Sequence, residues 1–215
     1  MAPLALAQAC TPTGPSWAEA ASTWSSLAFV AAGAWVLVAG PRRREVVALG
    51  VLAALVGVGS LVQHGPAPSW NPVLHDPPLL GAYTLVAADA AADLAGRRAR
   101  TWWWLVPTLA GVGLAAVSPT ASIVAQGLAS AVAVVLVAAR AIARPAVRRR
   151  LATALVVLGV ATLAGELSRT DRPWCAADWI DVGSAGHAVW HVAAAAAIVV
   201  VGPAVGRRDA PAAAP

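Results

Sequence analysis

SAGHAVWHVAAAAAIVVVGPAVG, Ser184 to Gly206, places two histidines four residues apart inside an apolar run. A helix of about 20 apolar residues spans the hydrocarbon core of a bilayer, so a run of this length is enough for one crossing. Ionisable side chains are costly there, and where they occur they face the interior of a helix bundle and mark function. His187 and His191 stand at i and i+4, which puts both imidazoles on one helix face. This segment therefore reads as a membrane helix carrying a site.

The rest of the chain agrees with it. Of 215 residues, 59% are hydrophobic and 12% charged, and the mean hydropathy is +0.71. That excludes a disordered chain and argues against a soluble domain. Apolar runs recur at 22–40, 46–63, 74–95, 101–117, 121–142, 151–167 and 184–205. They predict an all-α membrane protein, a bundle of seven transmembrane helices. A segment over 1–21 precedes the bundle at 22–205, and RRDAPAAAP ends a short tail at 206–215. The opening MAPLALAQAC has no positive n-region and too short an apolar stretch for a signal peptide.

All fifteen basic residues are arginine, and the net charge is +5. Their distribution reads as topology, and no nucleic-acid partner is expected. Arg42–Arg44, Arg97, Arg98, Arg100, Arg140, Arg144, Arg148–Arg150, Arg207 and Arg208 fall in alternate breaks. Only Arg169 and Arg172 fall in the others. The positive-inside rule puts the larger set in the cytoplasm, with the N-terminus outside and the C-terminus inside. Trp102, Trp103 and Trp104 follow one arginine cluster and read as an interfacial belt. Asp89 and Asp93, one turn apart near the inner end of the third span, either pair with nearby arginines or line a polar inner cavity.

This topology brings all four histidines, His64, His75, His187 and His191, toward the outer face. Ser60 shares a helix face with His64, and Asp76 adjoins His75. His187 and His191 with a third histidine from another helix make a three-nitrogen set for zinc, with the fourth position left for water. Bound zinc lowers the pKa of that water toward about 7. Asp76 then suits a general base and the Ser60 hydroxyl an oxyanion donor. Rival readings are a haem or quinone redox protein, with haem ligation by other histidine pairs, a Ser60–His64 intramembrane hydrolase, and a structural hydrogen-bond cluster.

TWSSLAFVAAG (Thr23–Gly33), GVGSLVQH (Gly57–His64), LHDPPLL (Leu74–Leu80) and GHAVWH (Gly186–His191) together resemble the alkaline ceramidases. These belong to a superfamily of seven-span putative hydrolases that includes the adiponectin receptors. The resemblance runs from Cys10 to the last span. It implies zinc ligands at His64, His187 and His191, a catalytic Asp76 and a catalytic-site Ser60. It implies hydrolysis of the amide of ceramide, or of a related N-acyl membrane lipid, to an amine and a fatty acid. The eukaryotic members bind calcium around an N-terminal Trp-Cys-Glu motif. Here the matching stretch is QACTPTG with Thr11 in the Glu position, Glu19 alone remains as a matching acid, and no calcium site is expected. Gln63 replaces the usual aromatic before the first ligand. The short, arginine-rich chain looks bacterial, so the expected setting is a plasma membrane with the site toward the outer face. A silent lipid-binding receptor is the alternative from another class.

Cys10 and Cys175 are the only cysteines. The arginine pattern puts both outside, where disulfides persist, and the resemblance favours a bridge over two unrelated thiols. Glu166 reads as a partner for a ligand imidazole or as a headgroup-level carboxylate.

Overall fold

The structure is a computed structural model and describes residues 20–168 and 182–208. The described residues form helices and no strands. In chain order they are α1 (Ala20–Ser25), α2 (Leu27–Ala39), α3 (Arg44–His64), α4 (Asn71–Leu94), α5 (Trp102–Val117), α6 (Pro119–Ala143), α7 (Pro145–Leu167) and α8 (Val182–Val201). A 3-10 turn at Gly202–Ala204 closes α8. Cys10, Thr11, Glu19, Arg169, Arg172 and Cys175 lie outside the described residues, so the disulfide and the calcium motif do too.

Five elements are long and apolar enough to cross a membrane: Ala21–Ala39, Arg44–His64, Pro119–Ala143, Pro145–Leu167 and Gly186–Ala204. The chain is thus built as a multi-pass membrane protein. The first of the five is α1 and α2 taken together, interrupted at Ser26. The other two helices differ in kind. α5 is apolar but only 16 residues long. α4 has 24 residues, with Pro77 and Pro78 inside it and His75, Asp76, Asp89 and Asp93 among its buried side chains.

Helix boundaries follow local chemistry. Ser118 accepts a hydrogen bond from the Ala121 amide at 3.2 Å, with Pro119 behind it, a serine N-cap and a proline in the first turn. Arg144, with φ −124° and ψ 89°, ends α6 and starts α7. α7 consequently begins at Pro145, well before the expected 151. Arginine is a good helix former, so the run Arg148–Arg150 continues the helix and does not break it.

Burial is distributed as in a bundle solvated by lipid. Every helix except α4 exposes large apolar side chains, among them Val38 at 78%, Val117 at 87% and Ile142 at 75%. Apolar exposure on that scale is untenable in water. α4 is enclosed by α3, α5 and α6, and 14 of its 24 residues are buried. Its polar groups therefore sit where lipid does not reach. Gly59 on α3 makes this packing possible. A Cβ there would lie 2.6 Å from the His75 Cα and 2.9 Å from the Leu74 carbonyl oxygen. Gly59→Ala must push two backbones apart, and a loss of about 1–3 kcal/mol is expected. Thermal unfolding of the purified variant measures it; a wild-type midpoint would show that the two helices are not pressed together.

The arginine clusters from the three arginine-bearing breaks and the C-terminal edge meet at one end of the bundle. Arg43 donates to the carbonyls of Pro203 and Val205, both at 3.1 Å. Arg44 donates to the Ala99 carbonyl at 2.7 Å, and Arg208 to that of Arg97 at 2.9 Å. Asp89 and Asp93 do pair with arginines, but with distant ones. Arg140 on α6 bonds Asp89 and Asp93, each at 2.8 Å. Arg144 reaches Asp93 at 3.2 Å and Arg208 reaches Asp89 at 2.8 Å. The adjacent Arg97–Arg100 stretch instead contributes a carbonyl to Arg208. The reason is geometric: α4 packs against the length of α6, and the end of α6 carries Arg140. Gly206 and Arg208, assigned to the tail from sequence, are held on Asp89 by the Gly206 amide at 3.1 Å and the Arg208 guanidinium.

Candidate metal centre

At the other end of the bundle α3 terminates in His64, and α8 brings His187 and His191 one turn apart. Their ligand nitrogens all lie within 4.8 Å of one another, an arrangement that can hold a metal ion. The His187 and His64 Nε2 atoms are 3.2 Å apart. Ring centroids are separated by 4.8 Å for His64–His187, 5.0 Å for His64–His191 and 4.6 Å for His187–His191. The ring planes are inclined to one another by 59°, 61° and 70° respectively. His191 is completely buried.

Two aromatics wall the cluster. Trp190 stacks on His187 with centroids 5.6 Å apart and an interplanar angle of 18°. Phe29 meets the edge of His191 at 5.7 Å. Both rings also line an apolar cavity of about 100 Å³ that runs into the bundle past Leu79, Tyr83 and Ile198. Cavities of this order accept small apolar groups and stay dry.

Hydroxyl groups hold His191 from both sides. Ser25 Oγ lies 2.8 Å from its Nδ1, and Ser60 Oγ lies 3.2 Å from its Nε2. Ser26 Oγ is 2.8 Å from Ser60 Oγ, and Ser26 and Ser60 are fully buried. Ser60 thus meets His191 across the bundle, where the sequence placed it beside His64 on one helix face. Ser25 and Ser26 had no role from sequence. Their only signal is a pair of hydroxyls in the otherwise apolar stretch TWSSLAFVAAG.

His75 and Asp76 form a pair of their own. His75 Nδ1 is 2.8 Å from Asp76 Oδ1, and both residues are buried. Asp76 is not one of the three clustered ligands. The contact of Gly59 with the backbone of His75 sets this pair at the level of Ser60, the residue next to Gly59. Glu166 is exposed in the last turn of α7. Trp102, 56% exposed, stands edge to face with Trp103, at the arginine-rich end.

Comparison with protein-family models yields no match, and comparison with curated proteins yields none.

Proposed function

We propose that this chain is a seven-span membrane hydrolase: a zinc-dependent amidase acting on ceramide or a related N-acyl lipid. The observation that carries the reading is the convergence of three imidazoles beside an apolar cavity, within one buried bundle. Zinc–nitrogen bonds of about 2.0–2.1 Å in a tetrahedron put ligand nitrogens about 3.3 Å apart. The 3.2 Å between His64 and His187 fits that edge. His191, within 4.8 Å, completes the set by a small side-chain adjustment. The alternating pattern of arginine supports an outside N-terminus and a cytoplasmic C-terminus. α4 and α5 count as spans in this reading. α4, at about 36 Å, is long enough, and its polar side chains are enclosed by neighbours. α5, at about 24 Å, requires local thinning or snorkelling at its ends.

When bound, zinc supplies a Lewis acid and a water whose pKa lies near about 7. The chain's own residues do the rest. Amide hydrolysis forms a carbon–oxygen bond, breaks the carbon–nitrogen bond and moves a proton from water to the leaving amine. Asp76, oriented by His75, accepts that proton and returns it to nitrogen. Ser60 donates its hydroxyl to the oxygen of the scissile carbonyl. Phe29 and Trp190 line the apolar side of the site, where the first methylenes of an acyl chain would lie.

Purified protein in lipid nanodiscs, loaded with zinc, is expected to release fatty acid from ceramide or another N-acyl lipid in a panel. A chelator should stop the reaction, and zinc should restore it. Asp76→Asn and Ser60→Ala are expected to keep metal and lose about 10²-fold or more in rate. Full activity in Asp76→Asn would remove Asp76 from the mechanism. Binding without turnover across the panel would favour the silent lipid-binding receptor. The Ser60–His191 contact favours one other reading, a Ser–His hydrolase in which His191 activates Ser60 as nucleophile. It requires activity that survives chelation.

A further inference from the structure

We infer that Ser25 is the positioning residue that fixes the tautomer of His191, so that Nε2 is the atom this ring presents to a metal ion. The tautomer follows from a count of protons. The Ser25 hydroxyl has one hydrogen, and it donates that hydrogen to the Ser22 carbonyl at 3.0 Å. Toward His191 Nδ1, at 2.8 Å, the Ser25 oxygen can then only accept. With the Ser25 hydrogen on the Ser22 carbonyl, Nδ1 carries the proton. In a neutral imidazole the other nitrogen is then bare, and Nε2 holds a lone pair.

The groups around Nε2 are consistent with this. Ser60 Oγ lies 3.2 Å away and can donate to it. The Ser22 carbonyl already accepts from the Ser25 hydroxyl and from the Ser26 amide at 3.2 Å. The Ser26 hydroxyl stands 2.8 Å from both that carbonyl and Ser60 Oγ, and in the Nδ1–H arrangement it turns toward Ser60. Every hydrogen in the chain from Ser26 through Ser60 and His191 to Ser25 then has an acceptor.

Local backbone structure explains how two neighbouring serines serve one histidine. Consecutive residues of a continuous helix point about 100° apart and do not share a face. Ser26, between α1 and α2, keeps helical dihedrals (φ −58°, ψ −27°), so Ser25 and Ser26 project in different directions. α1 packs on α8, which lets Ser25 reach Nδ1 while Ser26 reaches the Ser60 side. Ligating histidines commonly have the remote ring nitrogen fixed by such a partner, and its loss weakens metal binding about 10–100-fold.

The presentation of Nε2 to a metal rests on the metal-centre reading; the tautomer does not. ¹⁵N-histidine NMR of the metal-free protein tests the tautomer, with the His191 signal identified by its loss in His191→Gln. The wild type should show Nδ1–H at His191. Ser25→Ala should shift it toward Nε2–H or a mixture, and Ser25→Thr, which keeps the hydroxyl, should restore it. Zinc titration against a competing chelator is the second readout. Ser25→Ala should bind about 10–100-fold more weakly, and Ser25→Thr within about threefold of wild type. Thermal unfolding of the metal-free variants shows that each folds, with Ser25→Ala lower than Ser25→Thr because the buried Nδ1–H loses its acceptor.

An Nε2–H tautomer in the wild type overturns the inference, and it decides the matter even if Ser25→Ala does not fold. An unchanged tautomer and affinity in Ser25→Ala also overturn it, as does a Ser25→Thr variant as weak as Ser25→Ala. A wild type that takes up no zinc overturns the metal-centre reading and the ligand-presenting part of the inference with it. Normal zinc uptake by both wild type and Ser25→Ala overturns the inference alone.

Discussion

His187→Ala and His191→Ala are each expected to strip the protein of bound zinc. Zinc held by three imidazoles and water loses a third of its protein ligands in either variant. On a binding free energy on the order of 12 kcal/mol, an equal share per ligand is about 4 kcal/mol, or about a thousandfold in Kd. The bundle has no evident substitute. Among the described residues, the group of candidate ligands in reach of one ion is His64, His187 and His191, and Asp76 is engaged by His75 at 2.8 Å. His187→Ala is the cleaner of the two, because His191 is fully buried and its truncation also opens a cavity. Elemental analysis after dialysis against a weak chelator gives the result directly. One zinc per chain is expected in the wild type and close to none in either variant. Wild-type metal content in both would place any metal site elsewhere.

Arg140→Met is expected to cost about 3–5 kcal/mol of stability, the range for breaking a buried ion pair from one side. Arg140 is 2% exposed, Asp89 1% and Asp93 2%. Its guanidinium satisfies both carboxylates and donates to the carbonyls of Ala204 at 3.0 Å and Arg207 at 2.7 Å. Removing it leaves Asp93 with Arg144, and Asp89 with Arg208 and the Gly206 amide. Two carboxylates in a dry interior then share less positive charge, and two carbonyls lose a donor. Adding Asp89→Asn and Asp93→Asn should recover a large part of the loss, because the unpaired charge is then gone. Arg149→Gln is the reference: this residue is exposed, and a change within about 0.5 kcal/mol is expected. Thermal or denaturant unfolding in a single detergent compares the four proteins. If Arg140→Met unfolds with Arg149→Gln, the buried network contributes nothing to stability.

The sequence by itself determined the helices and their order, because hydropathy and turn chemistry act within one segment. Uninterrupted apolar runs marked the intervals, while the ends were less legible: α7 starts at Pro145 and not at the expected 151. It also determined that His187 and His191 share a face, since i and i+4 do so in any α-helix. The inward direction of His64 was legible from the cost of a histidine in lipid. What lay beyond the sequence was the azimuth of each helix. Helices such as α2 and α5 are apolar nearly all round, and a helix of that kind carries no stripe to say which side faces its neighbours. Only the packed bundle sent Ser60 to His191 and brought Ser25, at the end of α1, to the same ring. Packing likewise chose Arg140 over the nearer Arg97 for Asp89 and Asp93. Proximity along the chain favours Arg97, but a buried carboxylate is stabilised by the cation that the opposing helix carries into the same dry space.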